Sequence, residues 1–94
     1  MFTIRINDHG VVELEGRLDA SQTEEAARVL ETIATSMTVD FKNLEYISSA
    51  GLGVLFAHQK RLKSAGQGLR LINLNPHIRD VFRYARFDMI FQIE

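Results

Sequence analysis

The chain has no cysteine, no tryptophan and a single proline, Pro76. Lack of cysteine excludes a disulfide framework, a thiolate metal site and a thiol nucleophile together. An excess of one charge is also missing: eleven Lys and Arg stand against twelve Asp and Glu, for a net charge of -1. Such a balance supplies no general attraction to nucleic-acid phosphates or to an anionic membrane, so neither nucleic acid nor membrane is expected as a partner. Long hydrophobic runs are lacking too, since the longest stretch of small and apolar residues, Ala50 to Ala57, is far short of the roughly 20 residues a membrane helix needs. Met1 to Ile6 alternates instead of setting a basic segment before an apolar one, so no secretory signal is read there. These absences together predict a soluble, cytoplasmic protein. What remains is ordinary for a folded chain, with 46% hydrophobic and 24% charged residues among 94, and predicts a single ordered domain over residues 1–94.

Phe2, Ile4 and Ile6 alternate with polar residues, as do Val12 and Leu14 after the turn sequence Asn7-Asp8-His9-Gly10, which predicts a hairpin. Ser21-Gln22-Thr23-Glu24 has the spacing of a capping box, so a helix is expected to begin near Ser21 and to bury Ala26, Leu30, Ile33 and Met37. Val39 and Phe41 predict a short central strand, with Leu44 and Ile47 on its exit segment. Helical spacing follows from Gly51 to Lys63, placing Leu52, Leu55, Phe56 and Leu62 on one face with the polar Gln59 interrupting it. Gly66-Gln67-Gly68 breaks this helix before a strand over Leu69 to Leu74. Asn75-Pro76 then joins a cap to a proline at the first helical position, and Ile78, Val81, Phe82 and Ala85 form that helix's buried face. Met89 to Ile93 is expected to be the last strand. Strands that alternate with helices after an initial hairpin predict an α/β fold with a mixed sheet and parallel central strands.

The segment Ile47-Ser48-Ser49-Ala50-Gly51-Leu52-Gly53-Val54-Leu55 places two hydroxyls between a strand and a helix start. Ser49 there is open to two readings, as the helix cap or as an exposed hydroxyl that can be modified. Gly51 and Gly53 permit close approach of a partner backbone, or else relieve crowding where helix meets sheet. Asp19, at a strand end before a helix, is a cap candidate as well.

Gly16-Arg17-Leu18-Asp19, the run from Asp40-Phe41 through Tyr46 to Leu55, and the Gly66/Gly68 turn with its following strand together resemble the STAS domain of bacterial anti-sigma factor antagonists. The resemblance spans essentially the whole chain, and the serine loop with its glycines is the specific part. It implies a STAS-like fold with helices packed on a mixed sheet, and a phosphorylation-regulated binding module in a partner-switching pathway of transcription regulation. It makes Ser49 the phosphoacceptor, with Ser48 a second candidate. It places Asp19, Ser48, Ala50, Gly51, Leu52 and Gly53 at the partner surface. The implied partners are a serine-kinase anti-sigma factor, bound by the unphosphorylated protein, and a serine phosphatase that reverses the modification. Relatives often carry Asp before the acceptor and Ser or Thr after it, where this chain has Ser48 and Ala50.

ATP and magnesium would then belong to the kinase, and no cofactor or catalytic residue is expected in this chain. His9, His58 and His77 lack the close spacing of metal ligands, so no metal site is predicted. Arg79, Arg83 and Arg86 recur along the third helix as a charged solvated face. Two other functions compete. A STAS scaffold or regulatory subunit for a phosphatase, sensor or enzyme complex would use the same fold outside sigma-factor control. A small serine hydrolase would need glycine two residues before its nucleophile, where Ile47 stands, although Gly51 fits the second glycine place.

Overall fold

The structure, a computed structural model, describes all residues, 1–94. Strands β1 (Phe2–Ile6) and β2 (Val11–Leu18) form the expected hairpin, and α1 (Thr23–Leu30), β3 (Met37–Ile47), α2 (Ser49–Ser64), β4 (Leu69–Ile72), α3 (Pro76–Tyr84) and β5 (Gln92–Ile93) follow. The five strands lie side by side in chain order. β1 runs antiparallel to β2, and every later neighbour is parallel. Right-handed crossovers that always step in one direction place all their helices on one face of a sheet. The burial pattern agrees: Val12, Leu14 and Leu18 are buried, while Val11, Glu13 and Arg17 between them face the other way and are half-buried or exposed. One core of 21 buried hydrophobic residues fills the space between sheet and helices.

Three local expectations are corrected. The first α-helix does not start near Ser21, because the cap is Asp19, the other candidate, two residues earlier. The Asp19 carboxylate accepts the Ser21 N–H at 3.0 Å while Gln22 Oε1 accepts the Asp19 N–H at 3.1 Å. This reciprocal box closes a short 3-10 turn over Ala20–Gln22, and α1 begins only at Thr23. Ile33 is therefore buried in the turn beyond α1, and Met37 opens β3. The second correction concerns β3, which is eleven residues long and not a short strand with an exit segment. Its buried positions, Val39, Phe41, Leu44 and Ile47, break strict alternation because the pairing with β2 shifts twice, between Glu13 and Glu15 and between Gly16 and Arg17. Each shift inserts an extra residue in β3, the signature of a bulge. Third, the last two strands are shorter than expected. β4 ends at Ile72, and Phe87–Met89 forms a 3-10 turn that leaves only Gln92 and Ile93 for β5.

Gly16 sits at the second shift with φ of +91°, and a Cβ there would lie 2.0 Å from the Met1 carbonyl oxygen. Only glycine fits that backbone and that approach. Asn75 caps α3 by accepting the Ile78 N–H at 2.8 Å, with Pro76 at the first helical position as expected.

Arg61 ties α2 to α1, donating to the carbonyls of Ile33 at 3.0 Å and Leu30 at 3.1 Å. Its guanidinium also lies 3.2 Å from His58 Nδ1. Burial first, and the Arg61 charge second, hold the His58 pKa below its ordinary 6.5. Folding thus favours neutral His58. Its contribution to stability is whole above pH 6.5 and is lost as pH falls through 6.5 and then through the lower folded value. Urea midpoints measured from pH 7.5 to 5 should therefore fall less steeply for His58→Gln than for the wild-type protein, and equal slopes would exclude the effect.

Candidate functional site

β3 delivers the chain to the serine loop at its carboxyl end, beside the end of β2. Ser48 is extended, with φ -93° and ψ 173°, and two backbone bonds and one side-chain bond hold the loop there. Its N–H donates to the Leu18 carbonyl at 2.9 Å, its carbonyl accepts the Leu52 N–H at 2.9 Å, and its Oγ accepts the Gly51 N–H at 3.2 Å. Ser48 is thus the N-cap of α2, which corrects the reading of Ser49 as the cap. Ser49 is the first helical residue, exposed, and its hydroxyl has no intramolecular hydrogen bond. The two serines divide the work, since one closes the helix and the other presents a hydroxyl to solvent. Ser48→Ala should lower stability by about 1 kcal/mol, the usual loss for a hydroxyl cap, whereas Ser49→Ala should stay within about 0.5 kcal/mol. Urea denaturation of the two variants separates them.

The N–H groups of Ser49 and Ala50 also lack internal partners and belong to the open first turn of α2. Those donors and the positive end of the helix suit an anion on Ser49 Oγ.

Of the other residues assigned to this surface, Ala50 and Gly53 are exposed, whereas Gly51 and Leu52 are buried. A Cβ on Gly51 would lie 2.9 Å from the Leu18 carbonyl oxygen, Leu18 Cγ and Ile47 Cγ1 alike. A Cβ on Gly53 would meet nothing within 4 Å. Gly51 therefore serves the site by letting α2 press onto the ends of β2 and β3, and Leu52 by anchoring the first turn in the core. No crowding within the chain accounts for Gly53. Gly51→Ala should cost about 1–3 kcal/mol through overpacking, whereas Gly53→Ala should raise stability by about 0.5–1 kcal/mol. Opposite shifts in the thermal midpoint are the expected outcome.

Asp19 lies one residue past Leu18, whose carbonyl holds Ser48. Hydrogen bonds from the Ser21 hydroxyl, at 2.7 Å, and from the Ser21 N–H keep its carboxyl below the ordinary 3.8, with a smaller contribution from the Arg17 charge. No hydrogen bond joins Asp19 to Ser48 or Ser49. What Asp19 brings to this end of the sheet is a fixed negative charge in the neighbouring loop.

Sequence reading missed Arg17. Its guanidinium stacks 4.3 Å above the Tyr46 ring, and the pair sits on the helix-free face of the sheet. The two residues are 29 apart in the chain and meet through the parallel register that sets Arg17 opposite Tyr46 and Leu18 opposite Ile47. An exposed arginine at a strand end was the only signal available. The three histidines do not form a metal cluster, and no three His, Asp or Glu side chains come together. Arg83 pairs with Asp80 at 3.1 Å, and Arg79 donates to the Glu94 carbonyl at 2.9 Å. No helix is long and apolar enough to cross a membrane.

A hairpin-led mixed sheet with helices on one face, presenting an exposed serine at the start of its longest helix, defines the class as a small α/β binding domain. The chain belongs to the STAS domain family: the family model described as "Mlab, STAS domain" matches residues 2–92. It is 34% identical over 88 residues to BtrV of Bordetella bronchiseptica, a protein described as an anti-sigma factor antagonist, with 94% of this chain and 69% of the relative covered. Its fold is similar to that of an anti-sigma factor antagonist from Mycobacterium paratuberculosis, with a TM-score of 0.82 at 18% identity over 99% of this chain and 83% of the other. It is also similar to the Bacillus cell fate determinant SpoIIAA in its phosphorylated form, with a TM-score of 0.71 at 20% identity over 100% of this chain and 91% of the other. At those identities the two structures show the shared fold.

Proposed function

We propose that this chain is an anti-sigma factor antagonist that works by partner switching, with Ser49 as the switch. The unmodified protein binds a serine-kinase anti-sigma factor through the exposed start of α2. The kinase supplies ATP and magnesium. Ser49 Oγ attacks the γ-phosphorus, the hydroxyl proton passes to a base on the kinase, and ADP leaves. The phosphate then stands on the first turn of α2, where free N–H groups and the helix dipole accommodate it, so the fold persists. The partner's surface, packed over the same place, meets an anion it has not paired and lets go. A serine phosphatase restores the hydroxyl and closes the cycle.

One observation carries this reading: Ser48 does the capping, which leaves the Ser49 hydroxyl exposed and unengaged at the helix start. The similarity to BtrV supports the sigma-factor setting. In this reading the chain is a binding protein and not an enzyme; its larger cavity includes neither serine.

The test is incubation with a candidate kinase and magnesium ATP, followed by mass spectrometry of the peptide containing residues 48 and 49. Phosphate should appear at Ser49 in the wild-type and Ser48→Ala proteins and be absent from Ser49→Ala. Phosphate on Ser48 alone, or on neither serine, overturns the assignment.

A further inference from the structure

The far end of α2 forms a second site. α2 begins at Ser49 and ends at Ser64, so at about 1.5 Å per residue its ends are roughly 24 Å apart. Beyond its carboxyl end, between the β1–β2 turn and the starts of β3 and β4, lies a cavity of about 550 Å³. Fourteen residues line it; only three are hydrophobic, and none is Asp or Glu. Its ionisable members are His9, Lys63 and Arg70.

Three side-chain acceptors of the lining, on Gln67, Ser36 and Gln59, are engaged within the chain, while the Gln92 amide has no partner. Gln67 Oε1 accepts both the Ser36 N–H at 2.8 Å and the Ser36 hydroxyl at 3.0 Å, while Ser36 Oγ accepts the Gly68 N–H at 3.0 Å. Gln59 Oε1 is taken by the Leu69 N–H at 2.8 Å. The carbonyls that end α2 would repel an anion, but those of Leu62 and Lys63 already accept the N–H groups of Ala65, Gly66 and Gln67. The side-chain amide N–H groups of Gln67 and the Lys63 ammonium have no partner within the chain. Arg70 is engaged, by Thr38 at 3.3 Å and by the Glu94 carboxylate at 2.8 Å, so its charge is largely balanced. Asp8 is the other carboxylate nearby in sequence, beside His9 in the turn. The unbalanced positive charge of the lining therefore rests on Lys63, with the free amide N–H groups of Gln67 as the nearby donors.

We infer that this cavity binds a small polar oxyanion, a phosphate ester or polycarboxylate, with Lys63 and the Gln67 amide as its principal contacts. The volume falls within the range of small-molecule sites, while the scarcity of apolar lining selects a hydrophilic ligand. A charge-assisted bond from Lys63 supplies affinity, and the amide fixes the position of an acceptor oxygen. This site does not depend on the role given to Ser49.

Backbone amide shifts of Gly66, Gln67 and Gly68 report the test. Glycerol 3-phosphate and citrate are titrated separately to millimolar concentrations at constant ionic strength, with glycerol as the uncharged control. Saturable shifts with at least one of the two anions, and none with glycerol, are expected, and the better anion identifies the chemistry. Lys63→Glu should weaken binding about tenfold or more, while Lys60→Glu, an equal charge change on exposed α2 surface outside the cavity, should leave it within about twofold. Ser49→Asp should bind as the wild-type protein does, which separates this site from the switch. Linear shifts without saturation, a response to glycerol, or equal losses in both lysine variants would overturn the inference.

Discussion

Ser49→Asp protein should bind the anti-sigma factor proposed as its partner at least about 100-fold more weakly than wild type, because an unpaired charge confined against a partner costs several kcal/mol. The same substitution should not weaken the fold. Ser49 is exposed, its hydroxyl holds nothing in place, and a carboxylate in the first turn of a helix is favourable by about 0.3–1 kcal/mol. The expected pattern is lost binding with an unchanged or slightly higher thermal midpoint. Ser48→Asp supplies the contrast. Its carboxylate can replace the hydroxyl as the acceptor for the Gly51 N–H, since Asp and Ser serve about equally well as caps. Calorimetric titration of the two variants with the partner reads the difference directly, and equal affinity for Ser49→Asp and wild-type protein would remove Ser49 from the mechanism.

Gln59→Leu should lose about 2–4 kcal/mol, a large fraction of the roughly 5–10 kcal/mol that a chain of this size is expected to have. Gln59 is 1% exposed and is the only buried polar side chain. Its Oε1 accepts the Leu69 N–H at 2.8 Å and its Nε2 donates to the Ile90 carbonyl at 2.9 Å. One side chain on α2 thereby holds the start of β4 and the approach to β5. Leucine matches the volume but leaves a buried N–H and a carbonyl without partners. Urea denaturation should show the loss, and hydrogen exchange should quicken in residues 69–72 and 90–93 before it does around Ser48. A loss under about 1 kcal/mol would mean that water or backbone rearrangement supplies the missing bonds.

These effects separate what was legible in the sequence from what was not. The hairpin was legible because Phe2, Ile4, Val12 and Leu14 keep a period of two on either side of a turn sequence, and α3 because Asn75 and Pro76 mark its start chemically. The length of β3 was hidden. Two bulges break the alternation of Val39, Phe41, Leu44 and Ile47, and a bulge is set by the partner strand's register. The capping box before α1 was half legible: Asp19 and Ser21 both qualified as caps and the Ser21/Glu24 spacing suited a box, yet Asp19, two residues earlier, and Gln22 make the bonds. Gln59 looked like an interruption of an apolar face, and its bonding groups come from residues 10 and 31 positions away.

The serine loop divides the same way. By itself the sequence determined the order of elements, the presence of two hydroxyls at a helix start, and a pattern similar to STAS domains, since all of these depend on residues near one another in the chain. Only the tertiary structure decided that Ser48 is the cap and Ser49 the free hydroxyl, that Gly51 relieves a contact with Leu18 and Ile47 while Gly53 relieves none, and that Arg17 stands on Tyr46. The physical reason is common to all three. Where α2 begins is fixed by how closely it can pack on the ends of β2 and β3, and that approach depends on residues about 30 positions apart that only the parallel register brings together.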